Sequence, residues 1–233
     1  MKIKGKDFKI IGHRGVAALE PENTLLSIKK ALNLGCEMIE VDARLSKDGE
    51  VVLIHDSTLN RTTNGKGRVT EKTLNELKTL DILKGEKIPT LKEAWNLVKG
   101  KADLNIEVKE KLALEKVVLF IKKENIEDKV LVSFTRPWAL AKMKRSNPSL
   151  RIALVSYLPF CAVWQAKKIK AESLHSLFFI TNNRLIKKAK QKNLKIYPFP
   201  YGSKKEKLEK IKNLVNLGID GIFLNDPTVI SKI

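Results

Sequence analysis

Eight short runs of strand-forming residues alternate with helical patterns along nearly the whole chain, and no other feature constrains the fold as much. FKIIGH (8–13) is followed by ENTLLSIKKALNLG (22–35), where Gly35 supplies a helix C-terminal stop. The other strand-like runs are MIEVDARL (38–45), ADLNIEVK (102–109), KVLVSF (129–134), RIALVS (151–156), SLFFIT (176–181), LKIYPF (194–199) and GIDGIFLN (218–225). Helical patterns such as LALEKVVLFIKKEN and PWALAKMKRSN lie between them. Strand–helix alternation requires a parallel sheet, and eight such units predict an α/β fold of the (β/α)8 TIM-barrel type. A doubly wound open sheet is the alternative, but no G-x-G-x-x-G follows the first strand. With 233 residues, 43% of them hydrophobic, one barrel domain spanning 1–233 is expected.

One region breaks the alternation. Asp48-Gly49 is a hairpin signal, so VVLIHD should fold back antiparallel on MIEVDARL and bring His55 to about the level of Glu40. The stretch that follows is too long for a βα loop and contains a helical turn around 73–80. It predicts a small inserted cap over the barrel mouth at 57–88.

The run MIEVDARL reads as a buried strand, yet Glu40 and Asp42 stand two residues apart and therefore on one face. Two like charges at a half-buried position repel and lose hydration. Glu107 and Lys109 share a face of the third barrel strand in the same way. The C-terminal ends of barrel strands, where active sites form, also carry His13-Arg14 and His55-Asp56. A divalent cation would relieve the carboxylate repulsion, with Glu40, Asp42 and Glu107 as hard oxygen ligands of the kind Mg2+ or Ca2+ takes. Ion pairing with Arg14, Arg44 or Lys109 is the structural alternative, and Arg44, further along the strand, suits a purely structural role. His13 and His55 suit general acid–base chemistry, and Arg14 and Lys109 suit phosphate. Together they point to phosphodiester hydrolysis. His175 is read as preceding a strand at the far end of the barrel and is left out; Gly65 and Gly67 read as a flexible turn rather than a phosphate loop.

Lys and Arg total 45 against 26 Asp and Glu, a net charge of +19 that raises a nucleic-acid reading. The lysines of KKEKLEKIK (204–212) alternate with Leu208, Ile211 and Val215 at helical spacing, which makes them a solvated helix face. No aromatics interleave with them, so sequence-specific nucleic-acid binding is not expected. Cys36 and Cys161 lack metal spacing and read as reduced thiols. No signal-like or membrane-spanning run is present, and IALVSYLPFCAVW is interrupted by Pro159, so a soluble cytoplasmic protein is expected.

The ordered motifs GHRG (12–15), PENT (21–24), EVD (40–42), the KDG turn, HD (55–56), LNRTTNGKG (59–67), IPTL (88–91) and NIEVK (105–109) resemble the glycerophosphodiester phosphodiesterase family. A weaker echo runs through SF (133–134) to DGI (220–222) and Pro227. The resemblance implies a barrel with an inserted cap that cleaves glycerophosphodiesters to glycerol phosphate and an alcohol. It makes His13 and His55 the acid–base pair, Glu40, Asp42 and Glu107 the ligands of one divalent cation, and Arg14 and Lys109 the phosphate contacts. The chain departs from the family where a Trp-Thr-Val-Asn run is usual, carrying Tyr197-Pro198-Phe199-Pro200, and where Thr-Asp is usual, carrying Leu224-Asn225. Both stretches are expected to line the mouth, with Phe160 and Trp164 on the same rim; they are either neutral packing variants at strand ends or a shift of preference toward lipid-like substrates such as lysophospholipids. Two alternatives remain: a metal-dependent lipid phosphodiesterase or lyase in peripheral contact with membranes (lysophospholipase D-like), which the basic surface and LPFCAVW favour, and a basic nucleic-acid-binding protein with a vestigial site.

Overall fold

The computed structural model describes residues 2–3, 6–202, 204 and 206–232. The eight barrel strands are β3 (Lys9–Gly12), β4 (Met38–Leu45), β6 (Asp103–Val108), β7 (Val130–Phe134), β8 (Arg151–Ser156), β9 (Ser173–Leu177), β10 (Lys195–Phe199) and β11 (Gly221–Leu224). All neighbouring pairs in the order β10-β9-β8-β7-β6-β4-β3-β11 are parallel. Helices α1 (Leu25–Asn33), α3 (Leu91–Val98), α4 (Lys111–Glu124), α5 (Pro137–Ser146), α6 (Ala162–Lys168), α7 (Asn183–Gln191) and α8 (Leu208–Asn216) alternate with them. The barrel is nearly closed. A short hairpin of β1 (Lys2–Ile3) and β2 (Lys6–Asp7) precedes it.

The seam between β10 and β11 explains the incomplete closure. The Asp220 amide donates to the Ile196 carbonyl at 3.2 Å, and the Asp220 carboxylate accepts from the Ile196 amide at 2.9 Å. Backbone groups alternate sides along a strand, so the next amide facing β11 would belong to residue 198. Pro198 has none, and the ladder stops.

Alternation also sorts the barrel interior from its shell. Ile11, Met38, Leu131, Ala153, Val155, Leu177, Tyr197, Phe199 and Phe223 form an inner apolar cluster. The residues between them, such as Ile39, Val41, Ile106 and Val132, face the helices and join the larger outer core. The strand starts carry charge instead: Asp103 accepts from Lys9 at 3.1 Å and Arg151 at 3.3 Å, and Arg151 and Lys195 both bond Glu172.

The predicted hairpin is present. Gly49 takes φ +81° at the turn, and β5 (Val51–Leu53) pairs antiparallel with β4 through Ala43↔Leu53 and Leu45↔Val51. Extended past Leu53, that register sets His55 level with Val41, one residue from the expected level of Glu40. Beyond it, the short helix α2 (Leu74–Thr79) and two 3-10 turns enclose a separate apolar cluster of Leu59, Val69, Leu77, Ile82 and Ile88.

The strand expected at 176–181 is shifted. The strand is Ser173–Leu177, and Phe178–Ile180 belong to the loop that follows it. SLFFIT is the more apolar run, but the residues that pair with β8 and β10 are SLHSL. His175 therefore sits in mid-strand, not before a strand, and is buried in the barrel interior. Its ring lies 4.8 Å from Phe223 and 5.8 Å from Tyr197, and its Nε2 bonds Ser173 Oγ at 3.1 Å.

Burial pushes the His175 imidazole down to about 3 from its ordinary value of 6.5. Between these values the unfolded chain binds a proton that the folded chain refuses, so stability falls as pH drops below 6.5. A His175→Gln variant removes this term: its unfolding free energy should lose about 1.4 kcal/mol less per pH unit than the wild type across that window. Denaturant unfolding at pH 7, 6 and 5 checks this; parallel curves would mean that His175 takes up its proton when folded.

Candidate active site

The loop after β3 is built around a left-handed turn. Arg14 has φ +52° and Gly15 φ +82°. A Cβ on Gly15 would lie 2.3 Å from Ser27 Oγ, so only glycine fits where this turn meets α1. Ser27 Oγ accepts from the Val16 amide at 2.7 Å and donates to the Arg14 carbonyl at 3.0 Å. Thr24 caps α1 by accepting from the Ser27 amide, and Asn23, at φ +59°, is left facing the strands. The motifs GHRG and PENT thus form one knot.

The knot anchors the acids of β4. The Arg14 amide donates to Glu40 Oε2 at 2.7 Å. Asn23 and Asp42 bond reciprocally: Asn23 Nδ2 donates to Asp42 Oδ2 at 2.8 Å, and the Asp42 amide donates to Asn23 Oδ1 at 2.9 Å. Asp42 and Glu107 are neighbours in the β4–β6 register, and Glu40 faces Asn105. Carboxylate oxygens of Glu40, Asp42 and Glu107 lie within 4.8 Å of one another. This is the group that sequence reasoning brought together.

Two cations stand among these acids. Lys109 Nζ bonds Asp42 Oδ1 at 2.8 Å and also Glu107 Oε1, while Arg14 Nε lies 3.3 Å from Asp42 Oδ2. Burial alone would raise the Asp42 carboxyl, but Lys109 and Arg14 outweigh it and hold it well below the usual range. Glu40 goes the other way: burial, with Asp42 and Glu107 adding repulsion, pushes its carboxyl well above the usual range. Its Oε1 is fully buried and has no hydrogen-bond partner. An orphaned carboxylate oxygen beside two further hard oxygen donors fits a divalent cation. The acidic cluster can therefore hold a metal ion. Among the described residues it is the group with that geometry.

Both histidines have Nδ1 committed. His13 Nδ1 lies 2.7 Å from Asn225 Oδ1. The Asn225 amide is oriented by its Nδ2, which donates to the Gly202 and Lys204 carbonyls at 3.1 and 2.8 Å. His13 Nδ1 must then be the donor, and Nε2 keeps its lone pair. Burial, with Arg14 adding positive charge, lowers the His13 imidazole to about 3, so it is neutral. His55 Nδ1 lies 2.7 Å from Asp56 Oδ1, and Asp56 is held in turn by Arg61 Nε at 2.6 Å. Arg61, from the segment beyond the hairpin, also bonds Glu22, which receives Arg14 Nη1 at 2.9 Å. Arg44 Nε donates to the His55 carbonyl at 3.0 Å, the structural role expected of it.

His13, Arg14, His55, Glu107 and Lys109 open together onto a cleft of about 720 Å3. Phe199, Pro200, Tyr157 and Tyr201 form the opposite wall. Tyr197 does not reach it: as an inward residue deep in β10 it packs on His175, contrary to the expectation that residues 197–200 line the mouth together. Leu224 is likewise in the outer core, and Asn225 lies behind His13 as a polar support rather than an apolar substitute. Gly65 and Gly67 are not cleft residues; Gly65 backs onto Leu80. Sequence reasoning gave no role to Glu22, Asp56, Arg61 or Asn225. Asp56 beside His55 and Asn225 at a strand end were the available signals; the reach of Arg61 across 39 positions had none.

A family described as "Glycerophosphoryl diester phosphodiesterase family" matches residues 13–229. A Caldanaerobacter subterraneus protein named glycerophosphodiester phosphodiesterase is 37% identical over 232 residues, 94% of each chain. A putative glycerophosphodiester phosphodiesterase from Galdieria sulphuraria superposes with a TM-score of 0.87 at 28% identity, covering 99% of this chain and 98% of that one. An Oleispira antarctica phosphodiesterase, solved with the product sn-glycerol-3-phosphate, gives 0.87 at 28% identity over 96% and 95%.

The geometry makes opposite predictions for two neighbours. Glu40→Gln should weaken Mg2+ or Ca2+ binding at least about tenfold, because a charged oxygen ligand is lost. Lys109→Met should strengthen it, since its ammonium competes for Asp42 and Glu107. Calorimetric titration of both variants decides; the same sign in both would remove the cation from this cluster.

Proposed function

Because this chain belongs to the glycerophosphoryl diester phosphodiesterase family, we propose that it hydrolyses a glycerophosphodiester to glycerol phosphate and an alcohol by two-histidine catalysis. The observation that carries the reading is the pair of imidazoles, each with Nδ1 tied to a fixed partner, opening with Glu107 onto one cleft. His13, neutral and with its Nε2 lone pair free of Asn225, takes the proton of the attacking water as the new phosphorus–oxygen bond forms. His55, with Nδ1 held by Asp56 Oδ1, gives its Nε2 proton to the alcohol oxygen as the old bond breaks. Arg14 and Lys109 bind the phosphate oxygens and balance their charge. Glu40, Asp42 and Glu107 would hold one divalent cation, Mg2+ or Ca2+, which when bound polarises a phosphoryl oxygen as a Lewis acid. The chain forms one domain in which residues 57–88 act as a cap, with Arg61 orienting Asp56 and thereby His55. Among the described residues no helix is long and apolar enough to cross a membrane, and two free cysteines accord with a cytoplasmic place of work.

A second substrate class has an observation of its own. Phe199, Pro200, Tyr157 and Tyr201 give the cleft one apolar wall, with the Tyr157 and Phe199 rings edge to face at 5.8 Å. Such a wall suits a lysophospholipid chain.

Release of glycerol phosphate from glycerophosphocholine, glycerophosphoethanolamine and a lysophospholipid, with and without chelator, tests the reading. Chelator should abolish release, and His13→Ala and His55→Ala should each lower turnover about 10² to 10⁴-fold with metal affinity kept. Normal turnover in either variant would remove that histidine from the reaction. For the lysophospholipid reading, Tyr201→Ser should lower kcat/KM for that substrate about tenfold and leave glycerophosphocholine unchanged. Equal effects on both would sink it.

A further inference from the structure

The charge of this chain is concentrated on one side. Residues 135–205 contain 16 Lys and Arg and a single acid, Glu172; the other 162 residues contain 29 basic and 25 acidic. Glu172 lies at the strand-start end of the barrel, bonded to Arg151 and Lys195. The elements from α5 to β10, and the loops between them, therefore meet solvent with positive charge almost throughout.

The same segment carries the exposed aromatics. Among the described residues the strongly exposed ones are Trp138, Tyr157, Phe160, Trp164, Phe179 and Tyr201. All of them follow the C-terminal ends of β7, β8, β9 and β10, in the loop or the first turn of the next helix. Those strands are consecutive in the barrel, so the side chains form a crescent on one half of the catalytic mouth. Phe160 is 82% exposed and Tyr201 85%, values that folding alone would not favour for large apolar groups. Leu158, beside Phe160, is exposed as well. Behind the crescent, Trp164 and Pro159 share a groove of about 810 Å3 with Lys167, Lys168, Lys188 and Lys192.

Resting on the reading that this mouth hydrolyses phosphodiesters, we propose that the β7–β10 rim docks on the surface of an anionic phospholipid bilayer. Apolar and aromatic tips flanked by lysines match a membrane interface, where rings enter the headgroup layer and ammonium groups meet lipid phosphates. The cleft opens beside the crescent, with Tyr157 and Tyr201 belonging to both, so a docked enzyme would face substrates leaving the lipid phase. Charge argues against a second copy as the occupant, because two such faces would repel. Stacked nucleobases fit less well: Lys168 already covers the Trp164 ring at 4.7 Å and Lys111 the Trp138 ring at 5.4 Å.

The test is flotation of the full chain with vesicles of phosphatidylcholine alone or with about 30% phosphatidylglycerol. The wild type should float with the anionic vesicles, remain below with the neutral ones, and be released by raised salt. Phe160→Ser with Trp164→Ser should lower the bound fraction at least about tenfold, while hydrolysis of dissolved glycerophosphocholine changes less than twofold. Lys188→Glu with Lys192→Glu should abolish the preference for anionic vesicles. A wild type that stays with the soluble fraction overturns the proposal, as does an aromatic double variant that floats equally well. It also fails if the substitutions instead dissociate a dimer in sedimentation, or abolish binding of oligo(dT) while vesicle binding is absent. Flotation without any hydrolysis would leave the docking face standing and remove the substrate reading instead.

Discussion

Three carboxylates held close together in a buried barrel mouth set the terms for everything around them. Glu40 and Asp42 are almost fully buried, and Glu107 joins them within 4.8 Å. Lone buried charges of one sign cost several kcal/mol each in lost hydration. The chain offsets this locally with the Arg14 amide, the Asn23 amide group, and the charges of Lys109 and Arg14. The compensation is uneven. Asp42 receives both cations, whereas Glu40 keeps an unbonded oxygen and a raised proton affinity. That imbalance is where a divalent cation fits.

The same requirement accounts for the odd backbone nearby. Arg14 and Asn23 both adopt left-handed conformations, uncommon for residues with side chains. Each aims a backbone or side-chain donor at the acids of β4. Strain of this kind is kept where a site needs groups in positions that regular structure does not supply.

Outside the acids lies a ring of residues that act through others. Asn225 holds His13, Asp56 holds His55, and Arg61 ties Asp56 to Glu22 and so to Arg14. The two histidines are thereby placed in different electrical surroundings, one beside a neutral amide and one beside a carboxylate.

Period-2 alternation was written in the sequence, so the pairing of Glu40 with Asp42 and of Glu107 with Lys109 on shared faces was legible there, as was the barrel itself from the strand–helix alternation. The turn at Asp48-Gly49 likewise announced the hairpin that returns His55. What local pattern could not decide was depth and partnership. SLFFIT reads as the strand because it is the more apolar run, while the barrel places the strand at SLHSL, where the ladders with β8 and β10 form. Tyr197 and Phe199 share a face and look equivalent in sequence, yet one lies deep against His175 and the other reaches the cleft, a difference set by position along the barrel axis. The basic bias of residues 135–205 stands in the sequence itself, whereas the order of the strands is what sets the exposed aromatics of that segment along one side of the mouth. Sequence determined which residues share a face; the tertiary structure decided which faces meet, because contacts across tens of residues depend on barrel closure and not on any local propensity.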